Sequence, residues 1–181
     1  MRDRGKTIFL CQKNDLTKPW NSSGDREIAA NNYAANLLMP WSMFERNAAG
    51  KPINFEAVLE LKNLFRTSYT ATALRLVELG TSPAMIICHG TEGRRWYKRG
   101  PALPDFLHPH LDLNSETQAF DLLYSGSSRP RSPKVRADKW INLRNTGDFS
   151  VSEDSIQIAN DAIITLIWWK DASQLDSLPS R

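Results

Sequence analysis

The chain has 181 residues, 41% apolar and 24% charged, proportions that argue against extended disorder or a fibrous protein and fit one domain or two small ones. Its formal charge of +3 is too small to indicate nucleic acid by itself, and its two cysteines, Cys11 and Cys88, form no C-x-x-C or paired-ligand motif. The longest strongly apolar run, Ala162–Trp169, has eight residues, whereas a membrane-spanning helix needs about 20. With no secretory h-region after the basic start, the expected location is cytoplasmic and no membrane partner is expected.

In chain order, Thr7–Cys11 is β-prone and is followed by a loop rich in Asn, Ser and Gly. A helix is predicted over Asp25–Met39, capped by Ser23 or Asp25 and ended by Pro40. A second helix, Phe55–Phe65, buries Phe55, Val58, Leu61 and Phe65 at helical spacing. Ser68 caps a third, which carries Ala71, Leu74 and Val77 inward and stops at Gly80.

Beyond Pro83 the pattern becomes β. Ala84–Cys88 and Arg95–Lys98 flank the Gly-containing connection His89–Gly93, as in a hairpin. Ser115 and Gln118 resemble a capping box that opens a short helix reaching Gly126. Ser125–Pro133 reads as a loop and Trp140–Leu143 as a strand. Ser155–Ala159 and Ala162–Trp168 form a second hairpin about Asn160-Asp161, and the second arm is apolar enough for a central strand. The fold class expected is α+β, with residues 1–82 helical and residues 83–181 forming a small mixed sheet region.

Within Asp25–Met39, a helical period places Glu27, Asn31, Ala34 and Leu38 on one line, flanked by Ile28, Ala35, Ala30 and Leu37, while Asp25, Asn32 and Asn36 gather opposite. Glu27 is therefore expected along the buried arc, where a carboxylate needs a cation, a metal or several donors. The bland alternative is a first-turn carboxylate that favours the helix dipole.

The string Glu27-Ile-Ala-Ala-Asn31-Asn-Tyr33-Ala34-Ala-Asn-Leu37-Leu38-Met39-Pro40 resembles the E-x-x-A-N-x-F-A-x-x-L-L-M-P signature of the ImmA/IrrE metallo-endopeptidases. Phe65, Ser68, Ala71, Arg75, Leu76, Leu79 and Gly80 also stand as in that family's F-x-x-S-x-x-A-x-x-x-R-L-x-x-L-G segment. The resemblance implies a zincin-like helical region, with Glu27 as third zinc ligand, Asn31 as motif support, and a helix-turn-helix repressor as partner in stress responses or mobile elements. In intact members two histidines of an H-E-x-x-H helix complete the zinc site and its glutamate is the general base.

No H-E-x-x-H occurs in these 181 residues, whose first histidine is His89. The expectation is therefore an incomplete site: no catalytic residue, no zinc held by this chain alone, and no hydrolysis unless a preceding segment supplies that helix. A natural remnant of the fold is the other possibility. Without a covering helix, the arc about Ile28, Ala35 and Leu38 should be exposed and favour self-association.

Other residues offer competing chemistry. His108, His110 and His89 are expected in loops or a turn rather than on metal. The pair Phe55–Phe65 and Ser68–Leu79 resembles a helix-turn-helix that would present Thr70, Thr72, Arg75 and Glu78, although Glu56, Glu60 and Glu78 would repel phosphates. Arg129, Arg131, Lys134, Arg136 and Lys139 surround Trp140, a pattern that suits single-stranded nucleic acid or simply a solvated loop. The carboxy-terminal half weakly resembles a GAF-like sensor region in longer family members, with Trp96, Trp140, Trp168 and Trp169 as ligand walls or core filling.

Overall fold

The computed structural model describes residues 33–126, 134–142 and 149–177. The strand expected at Thr7–Cys11 and the start of the helix expected from Asp25 lie outside them. Residues 33–38 are helical, and the chain then passes Pro40 into α1 (Trp41–Ala48). The sequence alone gives no helix here, because Pro40 reads as a stop. Proline also starts helices, since the first turn leaves its N–H groups unpaired in any case.

Helices α2 (Phe55–Phe65) and α3 (Tyr69–Leu79) form as the sequence indicates, and side chains cap both: Asn54 accepts from Ala57 N–H and Ser68 from Ala71 N–H. Arg66, at φ 52°, turns the chain in the left-handed region, while the N–H of Thr67 reaches back to the Lys62 carbonyl at 3.0 Å. Gly80 ends α3 at φ 71°, and a Cβ there would lie 2.5 Å from Pro101 Cγ, so both backbone angle and packing require glycine.

Among the described residues five strands follow: β1 (Ala84–Gly90), β2 (Gly93–Arg99), β3 (Lys134–Arg136), β4 (Ser150–Ala159) and β5 (Ala162–Trp168). Their spatial order is β2-β1-β5-β4-β3, every pairing among the described residues is antiparallel, and helices followed by a sheet region give the α+β class expected. β5 is central, as its apolar run indicates. Helix α4 (Gln118–Ser125) starts at Thr117 rather than Ser115, because the Thr117 hydroxyl accepts from Phe120 N–H at 3.3 Å. A short helix α5 (Ser173–Asp176) follows the sheet.

Of the strand expected at Trp140–Leu143, residue 143 lies outside the described residues, and 140–142 follow a 3-10 turn, Ala137–Lys139, with a single bridge from Ile141 to Pro109. Trp140 N–H bonds back to the Ala137 carbonyl, which closes the turn and prevents strand pairing there.

Both faces of the sheet are covered, which explains why β1 is buried at every position. On one face Ile86, Cys88, Ile164 and Leu166 join Val58, Leu61, Leu76 and Val77 of α2 and α3 in a single apolar cluster. The helices and the sheet thus share a core across the expected boundary at residue 82. On the other, Met85, Ile87, Ile163 and Ile167 pack with Leu107, Ala119, Trp140 and Trp169. No helix among the described residues is long and apolar enough to cross a membrane.

Candidate functional site

Arg75 of α3 is buried, not outward as a helix-turn-helix reading requires, and Thr72 is buried beside it. Helix α3 turns this face toward the preceding chain: Arg75 Nη2 donates to the Met39 carbonyl at 2.9 Å and to Asn36 Oδ1 at 2.6 Å. The guanidinium also lies 4.8 Å from the centroid of the Trp41 ring, and Glu78 Oε2 stands 3.8 Å away. A cation here satisfies a carbonyl left open at a helix end and meets the negative end of the helix dipole. Thr67 Oγ1 approaches Met39 Sδ at 3.8 Å and shares a 2.7 Å hydrogen bond with Thr72 Oγ1.

Glu27 and Asn31 lie outside the described residues. Of the described members of their line, Ala34 is exposed and Leu38 is 55% exposed, whereas the helical wheel alone turns both inward and the lack of a covering helix leaves Leu38 open; Ala35 is half-buried and Met39 wholly buried. The inward line is therefore Ala35–Met39, one residue round the helix, because Met39 fills the space beside Phe44 and Arg75 pulls its carbonyl inward. Tyr33 at 71%, Leu37 at 61%, Trp41 and Met43 are exposed with Leu38, giving an apolar row beside the Arg75 clamp. A run of large apolar side chains on one short segment is a candidate protein-binding surface.

The described residues do not fit zinc. No group of three His, Cys, Asp or Glu side chains among them could hold a metal ion, and each described histidine is directed elsewhere. His108 Nδ1 pairs with Tyr97 Oη at 2.7 Å and His110 Nε2 with the Asp138 carbonyl at 2.9 Å. His89 is 1% exposed, neither ring nitrogen has a partner in hydrogen-bond geometry among the described residues, and the ring lies 6.0 Å from that of Trp140. Burial holds its pKa down to about 4, opposed by the nearby His110 backbone and aided by the Arg94 cation. Burial likewise pushes the Cys88 thiol up to about 12, which removes it as a nucleophile at neutral pH.

The basic segment is not assembled into a stacking groove by its described members. Trp140 is 2% exposed and its indole N–H donates to Glu153 Oε2 at 2.7 Å, so its ring is core. Arg136 pairs with Asp138 at 2.7 Å, holding that carboxyl below its usual range, and Lys139 pairs with Glu116 at 2.6 Å. Lys134 is exposed on β3, while Arg129 and Arg131 lie outside the described residues. Trp96 and Trp169 are also buried, as core filling rather than ligand walls.

Sequence reasoning missed the polar layer around Trp140. Glu153 Oε1 accepts from Gln118 N–H at 2.7 Å, fastening the first turn of α4 to β4, and Ser155 Oγ lies 2.8 Å from Thr165 Oγ1 across the β4–β5 pair. The available signal was alternation: Glu153 and Ser155 fall on the same side of β4 as Val151. No protein-family model matches this chain, and no curated protein matches it.

Proposed function

We propose that the chain is a regulatory protein related to the ImmA/IrrE metallo-endopeptidases, which acts on a helix-turn-helix repressor by binding and not by hydrolysis. The observation that carries the reading is the Arg75 clamp. Arg75 belongs to the second block of the signature and bonds to Asn36 and Met39 in the first, so the two stretches of resemblance meet in space. The clamp holds the signature helix with Tyr33, Leu37 and Leu38 outward. In this reading the apolar row is what the repressor docks on.

Hydrolysis is left out of the proposal for these 181 residues, which hold neither the two imidazoles of an H-E-x-x-H helix nor its general base. Incubating the purified chain with a repressor encoded beside it tests the proposal. A complex should form, the repressor should stay full length with zinc added, and Leu37→Ser/Leu38→Ser should weaken the complex about tenfold or more. Cleavage of the repressor, or equal binding by the double variant, would refute it.

A further inference from the structure

Among the described residues, strand β2 is an edge of the sheet. Its register pairs Met85 with Arg99, Ile86 with Lys98 and Ile87 with Tyr97. The N–H of Gly100 donates to the Ala84 carbonyl at 2.8 Å, and this bond sets the phase of the ladder. Gly100, Lys98 and Trp96 turn their N–H and C=O groups toward β1, whereas Arg99 and Tyr97 turn theirs to the open side. Among the described residues no backbone partner meets the outward groups of Tyr97 or Arg99. Nearer the turn the edge is closed, because Arg94 N–H is held by the Leu111 carbonyl at 2.7 Å.

Along the open part runs a cleft of about 350 Å³, lined by residues 97–101, Leu103 and Asp105. Space and unpaired backbone groups therefore coincide over a length of edge that suits a short strand. We propose that this edge takes an extended acidic segment of a protein partner as a sixth strand.

Charge selects that occupant over a second copy of the chain. β2 carries Arg94, Arg95, Lys98 and Arg99 and no acid. Pairing β2 with itself would set cations across from cations, which is how exposed edges resist self-association. An acidic strand reverses the sign of that interaction. Its alternate carboxylates would share one face of the added strand and lie beside Lys98 on the α3 side of the sheet, with Arg99 on the other side. The present partners of these two cations are Glu78 at 3.8 Å and Asp105 at 3.2 Å. Asp105 is fully exposed, and such pairs contribute little to stability, so an incoming carboxylate displaces them readily.

The test is fluorescence anisotropy with the full chain and labelled peptides of about six residues, the usual strand length. One peptide alternates Glu and Val, a second is the same peptide N-methylated on alternate backbone nitrogens, and a third alternates Lys and Val. The Glu–Val peptide should bind, N-methylation should weaken it about tenfold, and Lys98→Glu should weaken it about fivefold. In amide exchange, Tyr97 and Arg99 should slow on binding. Absence of binding, equal affinity for the N-methylated or Lys–Val peptide, unchanged exchange at Tyr97 and Arg99, or a dimer pairing β2 with β2 would each overturn the proposal.

Discussion

On the face of the sheet covered by α2 and α3 the packing is apolar, and one cation, Arg75, bonds across it to the preceding helix end. The opposite face buries Glu153, Ser155, Thr165 and His89 beneath α4 and Trp140. The first arrangement joins elements by shape and leaves an apolar row outside. The second joins them by hydrogen bonds whose loss strands buried donors, so its stability should depend more steeply on single polar atoms and on pH.

The comparison is broken most sharply at Glu153. Glu153→Ala removes the acceptor for Gln118 N–H and Trp140 Nε1, and chemical denaturation should show a loss of about 4 kcal/mol. A loss under about 1 kcal/mol would mean the polar layer is not what holds α4.

His89 gives the next effect. Its folded pKa of about 4 lies below the 6.5 of a free imidazole, so the unfolded chain takes up the proton first. The stability tied to neutral His89 is present above pH 6.5 and is lost as pH falls toward 4, amounting to about 3 kcal/mol. His89→Leu should flatten that part of the stability–pH profile, and an unchanged slope would assign it to other groups.

On the helical side, Arg75→Ala should cost about 2 kcal/mol and speed amide exchange in residues 33–39, with Arg75→Lys intermediate because ammonium cannot reproduce the fork. Equal exchange in wild type and variant would show that the clamp is dispensable.

The smallest effect is expected at Asp154, whose Oδ2 accepts from Phe55 N–H at 2.7 Å and so links β4 to the start of α2. Burial raises its pKa against the pull of the Phe55 and Ser155 backbone groups. The protonated form is therefore favoured in the folded state, and this contribution is lost as pH rises from 3.8 through the higher folded value. Asp154→Asn keeps an acceptor without the charge, so melting at pH 7 should show a change within about 1 kcal/mol, toward stability.

Local chemistry made much of the fold legible. Asn54, Ser68, Gly80 and the Asn160-Asp161 turn act on adjacent backbone, and the continuous apolar run of β5 reports burial on both faces. What escaped depends on distant partners. Trp140 reads equally as a stacking platform or a core ring until Glu153 is placed opposite it. Arg75 reads as an outward helix residue until the Met39 carbonyl arrives from another helix end. The burial of Met39 in place of Leu38 has the same origin, since a wheel fixes relative angles but not which side meets the core.

Amide exchange of the chain, alone and mixed with the helix-turn-helix repressor proposed as its partner, tests the central claim most directly. The account predicts protection concentrated at residues 33–43, with the amides around Lys134–Trp140 unchanged. Protection confined to Lys134–Trp140, with residues 33–43 exchanging as in the free chain, would contradict it.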